Sequence, residues 1–365
     1  MPLDIFTTDR DLAAWDDAVR ASPMGSLFLT TPWRECAQWH TGDRMLYAGW
    51  RDADGRLSGG VTIAERRRWG LRLGVQPLGT PYLGFWLAAQ AAADSGAGPP
   101  DTTSRRAEPA QPPHLSGPAP PVLGGDAEQY GAIVRELMAW VKRRFHCAYF
   151  QTPPEWPGPP PEGQGALPRG WATPVRRTLL VSLGGEKDMW ARLRGNARRL
   201  IRRAREAGWE TVVMERGALF PDEREAVRRL LAATHQRVGH TLYPEPFVER
   251  LLTSEAMGPH RLTLWARPGL GAAPGAMLTV VFDPHRAYYL LPLAEDGALR
   301  AGAMYLLVWE AMSRMAARGV PVFDLLGANL PHLVRFKENF GGAAVSYRQW
   351  QCWRWPWLRW VWPPA

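Results

Sequence analysis

The stretch that decides the fold is VFDLLGANLPHLVRFKENFGGAAVSY, residues 322–347. Its apolar opening, Val322–Leu326, predicts a short buried strand. Pro331–Phe340 begins with a proline and has helical apolar spacing, so a helix is predicted there. Another strand is predicted from Ala344 onward. The segment therefore indicates strand, helix and strand in close succession, as in a mixed α/β domain.

The residues before this stretch extend the α/β pattern. A single helix is predicted from Glu186 to Ala207, with Gly208 ending it, and the clearest helix is Ala303–Arg318, whose apolar residues recur at spacings of three and four. Strands and two more helices lie between them. The order, β-α-α-β-β-β-α-β-α-β, is similar to that of the acetyltransferase (GNAT) fold. Helix Ala127–Arg144, running into strand Ala148–Gln151, repeats part of this order and suggests an internal duplication.

The length of 365 residues indicates two domains. We expect a first domain over residues 1–175 and a second over 176–343. Residues 344–365 are expected to form a strand and a Trp-rich tail that return to the first domain. Within the first domain, residues 88–125 are rich in Ala, Gly, Pro and Ser, which predicts a disordered insert. Residues 153–174 are expected to be a stiff proline-rich connection.

Composition limits the classes of partner and site. The formal charge of +9 favours polyanionic partners, although Arg accounts for all but three of the 44 basic residues and suggests a coding bias. The three cysteines lie far apart, so neither a disulfide framework nor a metal site is expected. An acidic start and the absence of an eighteen-residue apolar run predict a cytoplasmic protein, with the inner face of the membrane as an alternative location.

The deciding stretch resembles the signature of the FemABX family: a strand ending in an FD-x-x-G turn, then a helix carrying FK-x-x-FG. The matching residues are Phe323, Asp324, Gly327, Phe336, Lys337, Phe340 and Gly341. Tyr305–Gly319 and Leu180–Gly208 are similar to the family's preceding helix and to its strand and basic helix.

The resemblance implies an α/β (α+β) protein of two tandem GNAT-like acyl-CoA N-acyltransferase domains, with mixed sheets flanked by helices. The best-known members of the family transfer an amino acid from aminoacyl-tRNA to an amine of a peptidoglycan precursor. The first domain is then expected to bind the acceptor and the second the donor, with no resident cofactor.

Lys337 is the expected catalytic residue, because a fixed cation can stabilise the oxyanion of acyl transfer. The alternative is an exposed helical lysine that makes no important contact. Phe336 is expected to stack on the terminal adenine of a tRNA donor, unless it simply packs with Leu333 and Phe340. Tyr305, in the helix shared with the family, is assigned to the same donor site.

Asp324 is assigned to the donor site, either to accept a proton from the attacking amine or, as we favour, to shape the following turn. Arg198, Arg199 and Arg202 are candidates for phosphate contacts, with a solvated helix face as the alternative. Trp33 and Tyr82 are candidates for binding the acceptor, with core packing as the alternative.

Three functions remain open from the sequence: aminoacyl-tRNA-dependent transfer to a nucleotide-linked or lipid-linked peptidoglycan precursor, acyl-CoA-dependent N-acylation of another amine, and a non-catalytic binding module. LRAGA, residues 299–303, is a degenerate form of the loop that cradles the pyrophosphate of coenzyme A. Trp350–Trp362 carries six Trp and two Arg. Trp350 and Trp353 are expected to pack in the core, and the residues beyond Pro356 to form a contact surface, as for a membrane.

Overall fold

The computed structural model describes residues 3–22, 24–52, 54–88, 127–154, 170–214, 219–328 and 330–361. The insert expected over 88–125 lies outside these residues from position 89 on, and so does the proline-rich connection between 155 and 169.

The first half begins with strands and helices bounded by local signals. The Thr8 hydroxyl accepts the N–H of Asp11 at 3.2 Å and starts the first helix, and Gly42, with φ of 65°, ends the second. The elements of this half are β1 (Asp4–Phe6), α1 (Asp9–Ala21), α2 (Thr31–Thr41), β2 (Arg44–Arg51), β3 (Leu57–Arg68), β4 (Leu71–Val75), β5 (Gly84–Leu87), α3 (Ala127–Arg144), β6 (Cys147–Gln151) and β7 (Trp171–Ala172).

The second half follows the expected order. Its elements are β8 (Val175–Ser182), α4 (Glu186–Arg192), α5 (Gly195–Glu206), β9 (Trp209–Val213), α6 (Pro221–Val238), α7 (Glu245–Thr253), β10 (Arg261–Pro268), β11 (Ala276–Phe282), β12 (Ala287–Ala294), α8 (Asp296–Ala301), α9 (Ala303–Ala317), β13 (Val322–Asp324), α10 (Pro331–Glu338), β14 (Ala343–Trp353) and α11 (Leu358–Val361).

The single helix expected from Glu186 to Ala207 is wrong, because the chain breaks it into α4 and α5. Leu193 and Arg194 have ψ of 137° and 153°, outside the helical range. The N–H of Arg194 donates to the carbonyl of Asn339 at 2.9 Å, so a tertiary bond replaces the helical one. The break gives the basic helix α5 a first turn of its own.

The strands form one continuous mixed sheet. Their order is β1-β2-β3-β4-β6-β14-β8-β13-β12-β11-β10-β9. Strand β14 lies at its middle: residues 343–348 pair with β8, and residues 349–353 pair with β6. The expected fold class, mixed sheets flanked by helices, is confirmed.

Each half contributes one parallel pair to the described strands. In the first half β4 lies parallel to β6, with Leu73 opposite Cys147. In the second half β12 lies parallel to β13, with Tyr288 opposite Asp324. Each of these pairs spans only two residue positions before the strands separate. Each half therefore has an opening between two diverging parallel strands.

The core continues from one half into the other. Phe28 packs edge-on against Tyr288 of β12 at 4.7 Å between ring centroids. Trp33 of α2 lies 6.3 Å from Phe247 of α7. Because these rings are buried, the two halves share apolar packing as well as the sheet.

Across the described parts of the chain, none of the helices has the length and apolar character needed to cross a bilayer.

Candidate functional site

The opening of the second half lies where β13 leaves β12. After Asp324 the chain stays on β8, with the N–H of Leu325 donating to the carbonyl of Leu179 at 2.9 Å. It then turns through Leu326 and Gly327, whose φ angles are 55° and 30°. A leucine in the left-handed region is strained and has to be held there by its surroundings. The turn leaves two backbone carbonyls facing the opening.

Lys337 on α10 closes this opening. Its ammonium donates to the carbonyl of Gly327 at 2.8 Å and to the carbonyl of Leu326. It also lies 5.9 Å from the centroid of the Tyr289 ring on β12. The alternative interpretation, an exposed helical lysine without important contacts, is wrong, because only 6% of the residue is exposed. The carbonyls of the strained turn, invisible in the sequence, draw the side chain inward.

Burial lowers the pKa of Lys337 from 10.5 to about 8, and the negative charge of Asp324 opposes this effect. The side chain is therefore mostly a cation at pH 7 and loses its proton in the mildly alkaline range. A cation in such a poorly solvated position interacts strongly with a nearby developing negative charge.

Asp324, the last residue of β13, stabilises the turn that follows it and is completely buried. It accepts the N–H of Leu326 at 2.8 Å, the hydroxyl of Tyr82 at 2.8 Å and the hydroxyl of Thr178 at 2.5 Å. Arg286 lies 3.6 Å from its second oxygen. With so many donors the carboxylate shapes the turn, and through it the two carbonyls that bind Lys337.

An aromatic cluster borders Lys337. The half-buried Phe336 meets Tyr305 of α9 edge-on at 4.9 Å and Phe340 at 5.3 Å. The Tyr305 hydroxyl accepts a hydrogen bond from the side-chain amide of Asn339 at 3.1 Å. Burial raises the pKa of Tyr305, while Asn339 and the nearby Arg199 oppose that shift. Tyr305 therefore connects Phe336 with the start of α5.

The arginines expected to bind phosphate lie together on α5. Arg198, Arg199, Arg202 and Arg203 line one surface groove, in which Glu206 is the acidic residue. None of the four forms a salt bridge with another described residue, whereas Arg205 pairs with Glu310 at 3.1 Å. The groove is thus a concentrated positive surface beside Tyr305.

Trp33 and Tyr82 lie in the core where the halves meet. The Trp33 indole donates to the hydroxyl of Thr80 at 2.8 Å, and Tyr82 bonds to Asp324. Burial, reinforced by Asp324, raises the pKa of Tyr82, which keeps the phenol protonated as a donor. Both side chains are buried, so contact with an acceptor would require the interface to open.

Three further residues of the site were missed from the sequence. Thr178 is a polar residue inside the buried strand β8, a signal that its hydroxyl has a buried partner. Arg286 follows the Asp283-Pro284 turn, and its main-chain N–H donates to Asp283 at 2.9 Å. Tyr289 gave no signal, because aromatic residues are common in strands.

The start of α9 is closed by packing. Residues 299–301 form the end of α8, and Gly302, with φ of 90°, lies against α5. A Cβ at Gly302 would stand 2.6 Å from the carbonyl oxygen of Leu200. The next residue, Ala303, is completely buried. The packing of α5 therefore leaves little room for a diphosphate beside the first N–H groups of this helix.

Comparisons with known proteins agree with this architecture. Residues 191–338 match the family model of the acetyltransferase (GNAT) domain. FemX has a similar structure, with a TM-score of 0.61 at 10% identity, over 94% of this chain and 96% of FemX. A tandem GNAT protein from the clavulanic acid biosynthesis pathway has a TM-score of 0.52 at 13% identity, over 97% of this chain and 99% of its own.

L-PGS from Bacillus licheniformis is similar as well, with a TM-score of 0.52 at 10% identity, over 95% of this chain and 92% of its own. No curated protein matches the sequence.

The matched domain makes residues 191–338 a GNAT-type acyltransferase domain, and the fold of the whole chain is that of tandem GNAT proteins. Within that class the chain has the tandem, FemABX-like arrangement that the deciding stretch indicated.

Proposed function

We propose that the protein transfers an aminoacyl group from aminoacyl-tRNA to an amine of a peptidoglycan precursor. The observation that carries the proposal is the adjacency of two surfaces in the second half. The buried ammonium of Lys337 lies at the opening between β12 and β13, and the arginine groove of α5 lies beside it. Tyr305 and Phe336 connect the two.

The groove suits a long polyanion. Its four arginines form no salt bridge with the residues that the structure describes, so they can contact phosphates, and each such contact releases counterions from a nucleic acid. The exposed part of Phe336 offers a surface on which the terminal base can stack. The tight packing of Gly302 against α5 and the burial of Ala303 leave little room for a pyrophosphate at the start of α9, which supports tRNA over coenzyme A as the donor.

Lys337 supplies the charge that the reaction needs. The acceptor nitrogen attacks the ester carbonyl of the donor, and a C–N bond forms through a tetrahedral oxyanion. The C–O bond to the terminal ribose then breaks, and the ribose hydroxyl leaves with the proton released by the amine. Two of the three N–H bonds of Lys337 hold the turn carbonyls, which leaves the third for the oxyanion.

The acceptor is taken to be a nucleotide-linked or lipid-linked peptidoglycan precursor, as the FemABX-like fold suggests. We assign the first half to binding it, with the donor on the second half. In this assignment Trp33 and Tyr82 do not contact the acceptor directly, since neither reaches solvent. They pack in the interface between the halves and so position the acceptor site.

The direct test is a transfer assay. The purified protein is incubated with labelled aminoacyl-tRNAs or with acyl-CoAs, each with a nucleotide-linked or a lipid-linked precursor. Products are identified by their mass increment. Aminoacyl transfer supports the proposal, and acylation from acyl-CoA alone replaces it with a CoA-dependent N-acyltransferase. A precursor that gains no mass from either donor overturns the proposed activity.

Lys337→Met is expected to lower the transfer rate about a hundredfold, since an oxyanion partner is worth roughly 3 kcal/mol of barrier. Lys337→Arg should also be impaired, because the planar guanidinium cannot occupy the position of the ammonium. Lys187→Met, at an exposed lysine on α4, is the matched control. Thermal unfolding verifies that each variant is folded. Unchanged turnover in the Lys337→Met variant contradicts the role.

The donor surface has a separate test. Reversing Arg198, Arg199 and Arg202 to Glu should weaken tRNA binding and flatten its dependence on salt, because phosphate contacts set that slope. The same reversal at Arg10, Arg56 and Arg314, three exposed arginines elsewhere, changes the net charge equally. If both triple variants lose the same affinity, the groove is not the donor site.

A further inference from the structure

One end of the first half's sheet exposes a group of tryptophans. They come from the turn between β3 and β4 and from the chain after β14. We call this surface the tryptophan face. Its members and their exposed fractions are Trp69 (71%), Trp355 (41%), Trp357 (54%) and Trp360 (76%).

The two segments of the tryptophan face are joined through His146, which precedes β6. The N–H of Arg354 donates to the carbonyl of His146 at 2.7 Å, and the N–H of His146 donates to the carbonyl of Arg72 at 2.8 Å. The imidazole also lies 5.4 Å from the Trp355 ring. Arg72 belongs to the hairpin whose turn carries Trp69, so both segments lie at the same end of the sheet.

The indoles are held in position by the fold. Leu358 is completely buried and anchors α11. Trp357 and Trp360, three residues apart, flank this anchor and remain exposed. The Trp355 and Trp357 rings are parallel within 3° at 6.0 Å. A folded chain exposes several large aromatic side chains together chiefly where another surface covers them.

The charge of the tryptophan face has one sign. Segments 66–72, 142–147 and 353–361 contain basic residues and no acidic ones. Two neighbouring carboxylates are already bonded to arginines of these segments: Glu65 to Arg144 at 3.1 Å and to Arg67 at 3.3 Å, and Asp43 to Arg66 at 2.7 Å. The other basic residues of the segments keep the face positive. Guanidinium groups lie over the exposed rings: Arg68 is 4.2 Å from Trp69, and Arg359 is 4.9 Å from Trp360. Tryptophan combined with basic side chains is the composition that binds the headgroup region of a bilayer.

We propose that the tryptophan face docks the protein on the surface of an anionic lipid bilayer. Charge complementarity selects this occupant. A second copy of the chain would bring two basic faces together, which like-charge repulsion opposes. A single-stranded nucleic acid would need free ring faces for stacking. Here one face of each of these rings already has a neighbour: Trp357 for Trp355, Arg68 for Trp69 and Arg359 for Trp360.

The experiment is sedimentation of the full chain with vesicles. One set contains equal parts of phosphatidylglycerol and phosphatidylcholine, and the other contains phosphatidylcholine alone. The wild type should bind the anionic vesicles and bind the neutral ones much more weakly. The triple variant Trp69→Ser, Trp357→Ser and Trp360→Ser should lose about tenfold or more in partition, because its apolar contacts with the bilayer are removed.

Phe220→Ser is the matched control, because Phe220 is 68% exposed in the second half, outside the tryptophan face. It should bind vesicles as the wild type does. A second variant, Arg354→Glu with Arg359→Glu, tests the charge and should lose binding to anionic vesicles while its thermal unfolding is unchanged.

Equal vesicle binding by the wild type and both tryptophan-face variants overturns the proposal. So does a change confined to self-association in sedimentation velocity, or to binding of a labelled single-stranded RNA. Since no acyl donor or acceptor is present, failure of this experiment is independent of the acyl-transfer assay.

Discussion

The two openings between diverging parallel strands are alike in backbone and different in what closes them. In the first half, beyond β4 and β6, the chain that leads to β5 fills the space. The N–H of Gln151 donates to the side chain of Gln76 at 2.6 Å, and the N–H of Leu83 donates to the carbonyl of Gln151 at 2.6 Å. In the second half the corresponding space is closed by the side chain of Lys337.

This difference separates a structural opening from a functional one. Opening the first would mean pulling a segment of main chain off β6. The second is bordered by one side chain and involves no main-chain pairing, so widening it is a far smaller motion. A substrate can therefore reach Lys337 at the second opening without disturbing the sheet. The second opening is the one suited to a reaction.

The largest expected effect is at the carboxylate beneath the second opening. Asp324→Ala should lower the free energy of unfolding by about 4 kcal/mol, because it removes the shared acceptor of three hydrogen-bond donors and the carboxylate that lies 3.6 Å from the buried Arg286. Gln76→Ala, the matching change in the first half, removes neutral hydrogen bonds and should cost only about 1–2 kcal/mol. Urea unfolding measures both.

The control for this pair is Asp296→Ala, at an exposed carboxylate paired with Arg237, where a change under about 0.5 kcal/mol is expected. If Gln76→Ala destabilises the protein as much as Asp324→Ala, the buried carboxylate of the second opening contributes no more to stability than the neutral hydrogen bonds of the first.

The next effect is the pH dependence of stability from Lys337. Its pKa is about 8 in the folded protein and 10.5 for a fully solvated lysine, so the unfolded chain binds more protons between these values. Wild-type stability should therefore rise relative to Lys337→Met as pH increases from 8 to 10.5, by up to about 3 kcal/mol. The neutral amine keeps two N–H donors for the two carbonyls.

Urea unfolding of both proteins at pH 7, 8, 9 and 10 gives the measurement. If the free energies of unfolding of the two proteins change equally with pH across this range, the ammonium is well solvated and burial has not shifted its pKa.

The smallest effect concerns the bond between the halves. Tyr82→Phe removes one hydrogen bond to a charged acceptor and should destabilise by about 1.5–3 kcal/mol. Tyr47→Phe in the first half loses a longer bond, 3.4 Å, to the carbonyl of Thr30 and should cost about 0.5 kcal/mol. Thermal unfolding distinguishes them. Equal losses would indicate that Asp324 is no better an acceptor than a main-chain carbonyl.

The sequence was informative where the pattern was periodic. The apolar spacing of α9 and the buried run of β13 predicted elements that the structure contains, with ends shifted by one or two residues. The fold class followed from their order. Short elements gave too little signal: β4 and β5 have five and four residues and were not predicted.

Tertiary contacts account for the other differences. Leu193 fits the apolar stripe of a continuous helix, and the break beside it depends on a bond to Asn339, far along the chain. The motif led to Lys337, but its burial depends on carbonyls exposed by a left-handed turn at Leu326. Such a turn at a leucine has no sequence signal, since glycine and asparagine are the usual residues there.

The position of β14 has a consequence for synthesis of the chain. The N–H of Thr152, just after β6, bonds to the carbonyl of Arg348, a partner 196 residues later. A ribosome therefore releases the first half with the edge of β6 still unpaired. The strand that pairs with this edge, β14, becomes available only after nearly all of the second half has been synthesised. Contacts so distant in sequence slow folding and leave the edge open to wrong partners in the meantime. The middle of this sheet is thus completed by one of the last strands to be synthesised.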